Sequence, residues 1–326
     1  MEGEGSRAYI GVGSAFSYIM IPDVTIIIPT RNRAPLFEEA LKSALAQTAS
    51  DFEVLVLDNA SEDETPLVLR RYDVPHLRVI RHCEMLPMQD NWGCGLREAR
   101  GEFVIFLGDD DLLFPNAVEN RLGFARQYRA KAVFSAHQWI NEDASRVLKR
   151  IPNLSMASGS INRDTALSMA LAIEWWIGST LYDRSRALEI WPRLGPDGTG
   201  FDIGINSRIA FRDGAEGRVY CANTVDVSWR QHPKQATKEN VTASWELKMR
   251  YLSRLREEAP NQNCYRILTR DISNWKTWRG WELSNDGVSR SQSRKFLVSG
   301  IKTDPGNIWA WKMMLKCLLS GPRRTV

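Results

Sequence analysis

Phe103-Val104-Ile105-Phe106-Leu107 is an apolar run of strand length that ends abruptly in Gly108-Asp109-Asp110-Asp111, with Pro115 just beyond. A run bounded in this way reads as a buried strand. Three adjacent carboxylates at its end repel one another unless positive charge sits among them. Hard oxygen ligands of this kind suit Mg²⁺ or Mn²⁺, ions that commonly hold substrate phosphates. The carboxyl end of a strand is also where open α/β sheets bind ligands. A solvated Asp-rich turn before a proline uses the same residue types, so the meaning of the triplet depends on the rest of the chain.

The rest of the chain alternates. Val24–Ile28, Val54–Leu57, Leu77–Ile80, Phe103–Leu107 and Ala132–Ser135 read as strands. Between them, a segment opened by Pro35 places Leu36, Ala40, Leu41, Ala44 and Leu45 on one helical face. Glu62–Tyr72, Asn91–Arg100 and Asn116–Tyr128 also read as helices. Strands and helices at this spacing predict a mostly parallel open sheet with helices on both faces. Beyond residue 140 the pattern loosens: Asn162–Ala172 and Ile203–Phe211 helical, Ile177–Tyr182 extended, Arg218–Arg230 β-like. From about residue 239 only helical patterns remain. The expected organisation is a poorly ordered extension over 1–22, an α/β domain over 23–238 and a helical region over 239–326.

Composition excludes some classes. Five cysteines without paired spacing argue against a disulfide framework or a zinc site and fit a reducing cytosol. The N-terminus lacks the basic region and apolar core of a signal peptide. No run approaches the ~18 apolar residues of a membrane span. The net charge of +4 hides a split: residues 241–326 hold sixteen Lys or Arg against seven Asp or Glu. Such a basic segment suits an acidic surface, a membrane or a nucleic acid, or else solvated helix faces.

Three strand ends share one polar character. They are Pro29-Thr30-Arg31-Asn32-Arg33, Asp58-Asn59-Ala60-Ser61 and the aspartate triplet. In a parallel sheet all three meet at one crevice. No GxGxxG follows the first strand and no GxxxxGK[ST] occurs, which weakens a dinucleotide or P-loop reading.

These residues resemble the inverting family-2 glycosyltransferases, which have a GT-A fold. The resemblance covers about residues 23–235 and rests on IIIPTRNR (26–33), VLVLDNASED (54–63) and MQDNWGCGLREARGEFVIFLGDDDLLFP (88–115). Weaker matches are Phe201-Asp202 followed by Arg208, and Trp229-Arg230-Gln231-His232. The resemblance implies that Pro29, Thr30 and Arg31 line a nucleotide pocket, and that Asp58 contacts the base with Asn59 beside it. Asp109 and Asp110 fall on the family's DXD-type acids. Asp110 is then the direct metal ligand, Asp109 faces the ribose or the metal shell, and Asp111 supports the loop. Many members carry Asp where this chain has Gly108. Asp202 corresponds to the catalytic base, although Asp also caps helices well. His232 corresponds to a histidine that reaches the metal or diphosphate, or else is a surface-loop residue before Pro233; Arg230 beside it suits either a fork donor to the diphosphate or a solvated edge. Trp175 and Trp176 fall on the acceptor side, where flat aromatic faces can stack on sugar rings; core packing, the commoner role of tryptophan, is the alternative.

The implied activity is metal-dependent transfer, with inversion, from a UDP-, GDP- or dTDP-linked sugar to a glycan or lipid-linked acceptor. Mg²⁺ or Mn²⁺ is the implied cofactor, cell-surface polysaccharide assembly the implied setting, and nucleic acid is not an expected partner. The expected location is the cytoplasm, with peripheral contact at the inner face of the membrane. The alternatives are a sugar-phosphate nucleotidyltransferase, whose Gly-rich basic loop TRNRAPL lacks, and a non-catalytic nucleotide- or glycan-binding relative. The C-terminal region carries two readings. Its Trp and Lys/Arg residues, above all in Ile308–Leu319, suit a helix lying on an anionic leaflet. They equally suit a helical cap with tryptophans as its core.

Overall fold

The computed structural model describes residues 21–151, 158–172, 174–194, 201–233, 235, 241–285 and 290–319. The extension expected over 1–22, apart from residues 21 and 22, lies outside the described residues. So do the Gly-rich stretch 195–200 and the expected boundary near 238.

The first half alternates as its pattern predicts. Strands β1 (Val24–Thr30), β2 (Phe52–Asp58), β3 (Leu77–Arg81) and β4 (Phe103–Phe106) are interleaved with helices α1 (Ala34–Leu45), α2 (Thr65–Leu69) and α3 (Met88–Glu98). Every residue of β1 and β2 is buried, so the sheet is covered on both faces there. This is why these strands read as unbroken apolar runs and not as alternations. In α1 the buried stripe is Ala34, Phe37, Ala40, Leu41 and Ala44, with proline in the first turn.

Next come β5 (Leu112–Leu113), α4 (Ala117–Tyr128), β6 (Ala132–Ile140), β7 (Val147–Ile151), β8 (Gly159–Ser160) and α5 (Arg163–Leu171). They are followed by β9 (Thr180–Asp183), α6 (Arg184–Ile190), α7 (Phe201–Arg212) and β10 (Val219–Arg230). All ten strands join one sheet, in order β3-β2-β1-β4-β9-β6-β10-β5, with β7 on β6 and β8 on β10. The parallel order holds over β3-β2-β1-β4 and again between β6 and β10. Between these halves β9 pairs antiparallel with both β4 and β6, which makes the sheet mixed. Residues 177–182, expected to be extended, divide into a 3₁₀ turn over Ile177–Ser179 and then β9.

One pairing positions the site. Immediately after the aspartates, β5 pairs antiparallel with β10, Val227 opposite Leu113 and Ser228 opposite Leu112. This brings Arg230 and His232 to the acidic loop although they lie over a hundred residues away in sequence.

Four helices follow: α8 (Val241–Glu257), α9 (Gln262–Asn285), α10 (Arg290–Thr303) and α11 (Ile308–Leu319). Met249, Tyr251, Leu252 and Leu255 of α8, and Cys264, Leu268 and Ile272 of α9, belong to the same buried cluster as the sheet. The helical region therefore shares the main core. Farther out, α10 packs on α9 through Leu297 and a Ser293 hydroxyl that donates to the Gly280 carbonyl. Within this region, Trp245 packs edge-on to Phe296, and Trp275 packs edge-on to Trp278. Trp281, Trp309 and Trp311 are exposed.

Candidate active site

The acidic loop is a built polar cluster. The Thr30 hydroxyl, at the end of β1, donates to Asp109 Oδ2 at 2.9 Å. The Arg33 guanidinium reaches Asp109 at 3.2 Å and Asp110 at 2.7 Å. His232 Nε2 lies 2.9 Å from Asp110 Oδ2. Asp111 turns the other way and accepts from the Arg230 backbone N–H at 2.9 Å. The Arg230 side chain donates to the Asp110 carbonyl at 2.8 Å and pairs with Glu39 of α1 at 2.6 Å. It thus braces the loop from behind. Asp111 has the supporting role expected of it.

Gly108 leaves room for this packing. A Cβ there would lie 2.5 Å from an Asp111 carboxylate oxygen and 3.0 Å from one of Asp110. Any side chain at 108, aspartate included, would have to displace those acids.

Burial and like charge set the protonation of the cluster. Burial pushes Asp109 up to about 6, with Asp110 adding to the rise, while Arg33 and Thr30 pull it back. Asp111 is pushed well above the ordinary carboxylate range by burial and then by Asp110. Burial disfavours the charge on Arg33, but Asp109 and Asp110 outweigh it and raise its pKa. Arg33 is therefore the standing counter-charge of the acid pair. Sequence reasoning singled out Arg31 and passed over Arg33. The available signal was a second arginine in TRNR, placed directly before α1.

Among the described residues no three His, Cys, Asp or Glu side chains form a closed metal cage. Asp110 and His232 instead meet as a pair, with Arg33 also on Asp110. Two such ligands, fewer than a closed cage, suit a hard cation that keeps part of its shell for water and substrate phosphates. Asp109 is held by Thr30 and Arg33, as Asp110 is by Arg33 and His232.

A second cluster adjoins the first. The Asn59 backbone N–H donates to the Thr30 carbonyl at 2.9 Å. Asp58 is fully buried: one carboxylate oxygen accepts from the Ser61 N–H at 2.9 Å. The other faces Arg81 at 3.4 Å and has no hydrogen-bond partner. That orphaned acceptor is suited to a ligand N–H. The Asn59 side chain is spent on the Leu86 backbone, donating to its carbonyl at 2.9 Å and accepting from its N–H at 2.8 Å. Asn59 thus shapes the pocket loop. Arg31 reaches the Asn59 carbonyl only at 3.5 Å, and Pro29 is buried in β1.

Asp202 stands apart. It lies in the first turn of α7, where its carboxylate accepts from the Ile203 N–H at 2.8 Å. Among the described residues no hydrogen bond or ion pair joins it to the acidic loop. Burial raises its pKa, while the Ile203 N–H and Lys248 of α8 lower it. Lys248 sits 3.5 Å above the centre of the Trp275 ring, and burial lowers its own pKa to about 8. The sequence pattern gave no sign that a half-buried lysine from the C-terminal helices faces Asp202.

The two tryptophans separate from the acceptor reading. Trp175 is core: it stacks on Phe134 at 5.1 Å, and its indole N–H donates to Thr180. Trp176 is 8% exposed and stacks on Trp229 at 5.0 Å. A buried indole with its N–H satisfied has no free face for a sugar, which corrects the expectation for Trp175. His76 stacks on Phe52 and His82 contacts Asn91, both structural placements.

Residues 25–178 match the model of glycosyl transferase family 2. A GalNAc(5)-diNAcBac-PP-undecaprenol beta-1,3-glucosyltransferase of Campylobacter jejuni is 34% identical over 110 residues, 33% of this chain and 36% of the relative. The chain spans a similar minor share of other curated relatives it matches. Two solved structures share the GT-A-type fold. S. aureus TarS 1-349 in complex with UDP-GlcNAc aligns with a TM-score of 0.67 at 13% identity, over 90% of this chain and 89% of that one. Mannosyltransferase PcManGT from Pyrobaculum calidifontis, in complex with GDP-Man and Mn²⁺, aligns with a TM-score of 0.54 at 20% identity, over 91% and 85%.

Proposed function

Residues 25–178 are a family-2 glycosyltransferase segment, and from that premise we propose that this chain transfers a sugar from a nucleoside-diphosphate donor to an acceptor hydroxyl, with inversion and with a divalent cation. The observation that carries the reading is the convergence of Thr30, Arg33, Asp109, Asp110 and His232 at the carboxyl edge of β1 and β4. Asp58 accepts a hydrogen bond from the base through its orphaned oxygen. Pro29, Thr30 and Arg31 line the nucleotide, and Asn59 holds the wall of that pocket in place.

Asp110 and His232 would hold Mg²⁺ or Mn²⁺, which when bound screens the diphosphate charge that grows as the donor breaks. Arg33, already bridging the acid pair through Nη1, adds a second positive charge beside the diphosphate. Asp202 takes the proton from the acceptor hydroxyl. As that oxygen bonds to the sugar C1, the C1–O bond to diphosphate breaks and its electron pair leaves on the phosphate oxygen. Attack opposite the leaving group inverts C1. The Ile203 N–H and then Lys248 offset part of the rise that burial imposes on Asp202.

The acceptor is a glycan or lipid-linked glycan of cell-surface polysaccharide assembly. The Campylobacter relative, whose name specifies an undecaprenol-linked substrate, supports this class. TarS with UDP-GlcNAc and PcManGT with GDP-Man support a nucleotide-sugar donor, and the Mn²⁺ in the latter supports a metal. No helix among the described residues is long and apolar enough to cross a membrane. Peripheral contact at the inner leaflet falls to α11. There Ile308, Trp311, Leu315 and Leu318 are 69%, 49%, 56% and 53% exposed beside Lys312 and Lys316.

Calorimetric titration of the full chain with UDP, GDP and dTDP, each with and without Mn²⁺, tests the core of the reading. One nucleotide binds more tightly with metal, and Asp110→Asn removes that difference. Asp202→Asn retains binding and loses transfer. A folded protein that binds none of the three overturns the donor class.

A further inference from the structure

An open cleft of about 570 Å³ lies where α6, the turn after it, α7 and α8 meet, and it shares no residue with the site above. Five arginines line it, Arg186, Arg193, Arg208, Arg212 and Arg254, against two acids, Glu189 and Glu258. The pairing is incomplete. Arg208 is forked onto Glu258 at 2.8 and 2.9 Å, and Arg212 onto Glu189 at 2.8 Å. Arg186 is held by Asp213 behind the cleft at 2.9 Å and also pairs with Glu189 of the cleft itself. Arg254 reaches Glu258 only at 3.9 Å and is 54% exposed. Arg193 is exposed and has no ion pair among the described residues.

The floor is rigid and the charge unbalanced. The side chains of Arg186 and Arg208 are 8% and 6% exposed, so their guanidinium groups are already desolvated and fixed. Arg208 Nε is buried with no hydrogen-bond partner. A planar guanidinium fork can donate to two oxygens of a tetrahedral phosphate at once, and several such forks suit a multi-acceptor anion. Fixed donors also lose little conformational entropy when an anion arrives.

We propose that this cleft binds a phosphoryl or phosphodiester anion, with Arg193 and Arg254 closing on it above the floor of Arg186 and Arg208. The same chemistry is offered by a phosphate in solution or on a polymer and by an anionic lipid headgroup. The proposal concerns binding alone and stands whether or not the transfer reading holds.

The test uses the full chain and two probes. The first is inorganic tripolyphosphate, titrated calorimetrically in the presence of EDTA. The second is flotation on vesicles of phosphatidylcholine and phosphatidylglycerol in equal parts. Wild type is compared with Arg193→Gln/Arg254→Gln, both exposed positions, and with Asp110→Asn as a control for the nucleotide site. Near-ultraviolet circular dichroism confirms folding of each. Losing two charge-assisted contacts should weaken binding at least ~10-fold, while Asp110→Asn binds as wild type does. A loss in the tripolyphosphate arm assigns the cleft to free phosphates, and a loss confined to vesicles assigns it to a headgroup. Equal binding by wild type and the arginine variant overturns the proposal. So does no binding in either arm, or a loss that follows Asp110→Asn instead.

Discussion

His137 shows the cost of closing a sheet over a titratable ring. It lies mid-strand in β6, fully buried, and neither ring nitrogen has a hydrogen-bond partner. Trp176 and Trp229 pack against it at 5.4 and 6.1 Å. Burial, with a smaller push from Lys149, lowers its pKa to about 4. The folded protein therefore binds fewer protons than the unfolded chain between about pH 4 and the ordinary histidine value. Stability contributed by the neutral ring is complete above pH ~6.5 and is lost as pH falls toward 4. The linked free energy is of order 3 kcal/mol. Urea denaturation of wild type and His137→Phe at several pH values between 7 and 4 reads it directly. The variant should show a flatter decline. Parallel declines would mean that other groups set the acid limit. Arg33 makes the complementary point. Its partners lie 76 and 77 residues away, so a chain read locally shows an arginine near a turn. The fold makes it the counter-charge of the acid pair.

At the scale of elements, α7 is the joint between the proposed catalytic chemistry and the C-terminal helices. It carries Asp202 in its first turn and Arg208 farther along. Gly204 lies between them, and a Cβ there would sit 1.7 Å from the Tyr251 hydroxyl of α8. Tyr251 also accepts from Arg208, whose other nitrogen is forked onto Glu258. Gly204→Ala should therefore force α8 away and cost about 1–3 kcal/mol, the usual range for overpacking. A thermal melt of Gly204→Ala beside Tyr251→Ala and the double variant checks this. The second substitution should cost less in the presence of the first, and simple additivity would mean the helices do not press on each other there.

Elements also mark what the sequence made visible. β1, β2 and β4 were legible because burial on both faces leaves an unbroken apolar run, and α1 because its stripe is clean. Helix α2 was expected over Glu62–Tyr72 and covers Thr65–Leu69. Asp63 accepts from the Thr65 N–H at 2.9 Å and fixes the start later than the apolar pattern implies. The direction of β9 was not legible, because pairing with β4 and β6 is decided by partners distant in sequence. The acid triplet was legible as a site. The division of labour within it, Asp111 inward and Asp110 toward His232, depends on β5 meeting β10.

Across the whole molecule, the catalytic unit proposed over 23–238 and the helical region over 239–326 are not thermodynamically separate. Residues of α8 and α9 complete the core that begins at β1. Cutting between them would take away Leu252, Leu255 and Leu268, each 0% exposed in the intact chain, and bare the core surface they cover. At about 1.5–3 kcal/mol for each such side chain, the loss rivals the 5–15 kcal/mol that holds an ordinary domain folded. The far end of the same region is different. Helix α11 buries Ala310 and Cys317 but leaves Ile308, Trp311, Leu315 and Leu318 open. Two deletions separate these roles. Removing residues 239–326 should abolish the cooperative melt, whereas removing 305–326 should keep it and lower the midpoint by only a few degrees. The shorter deletion should also lose flotation on vesicles containing phosphatidylglycerol, while retaining nucleotide binding. Equal flotation of the full and shortened chains would leave α11 as a cap alone. A cooperative melt from residues 1–238 would show that the sheet completes its own core, and that the basic helices were added to a domain already stable without them.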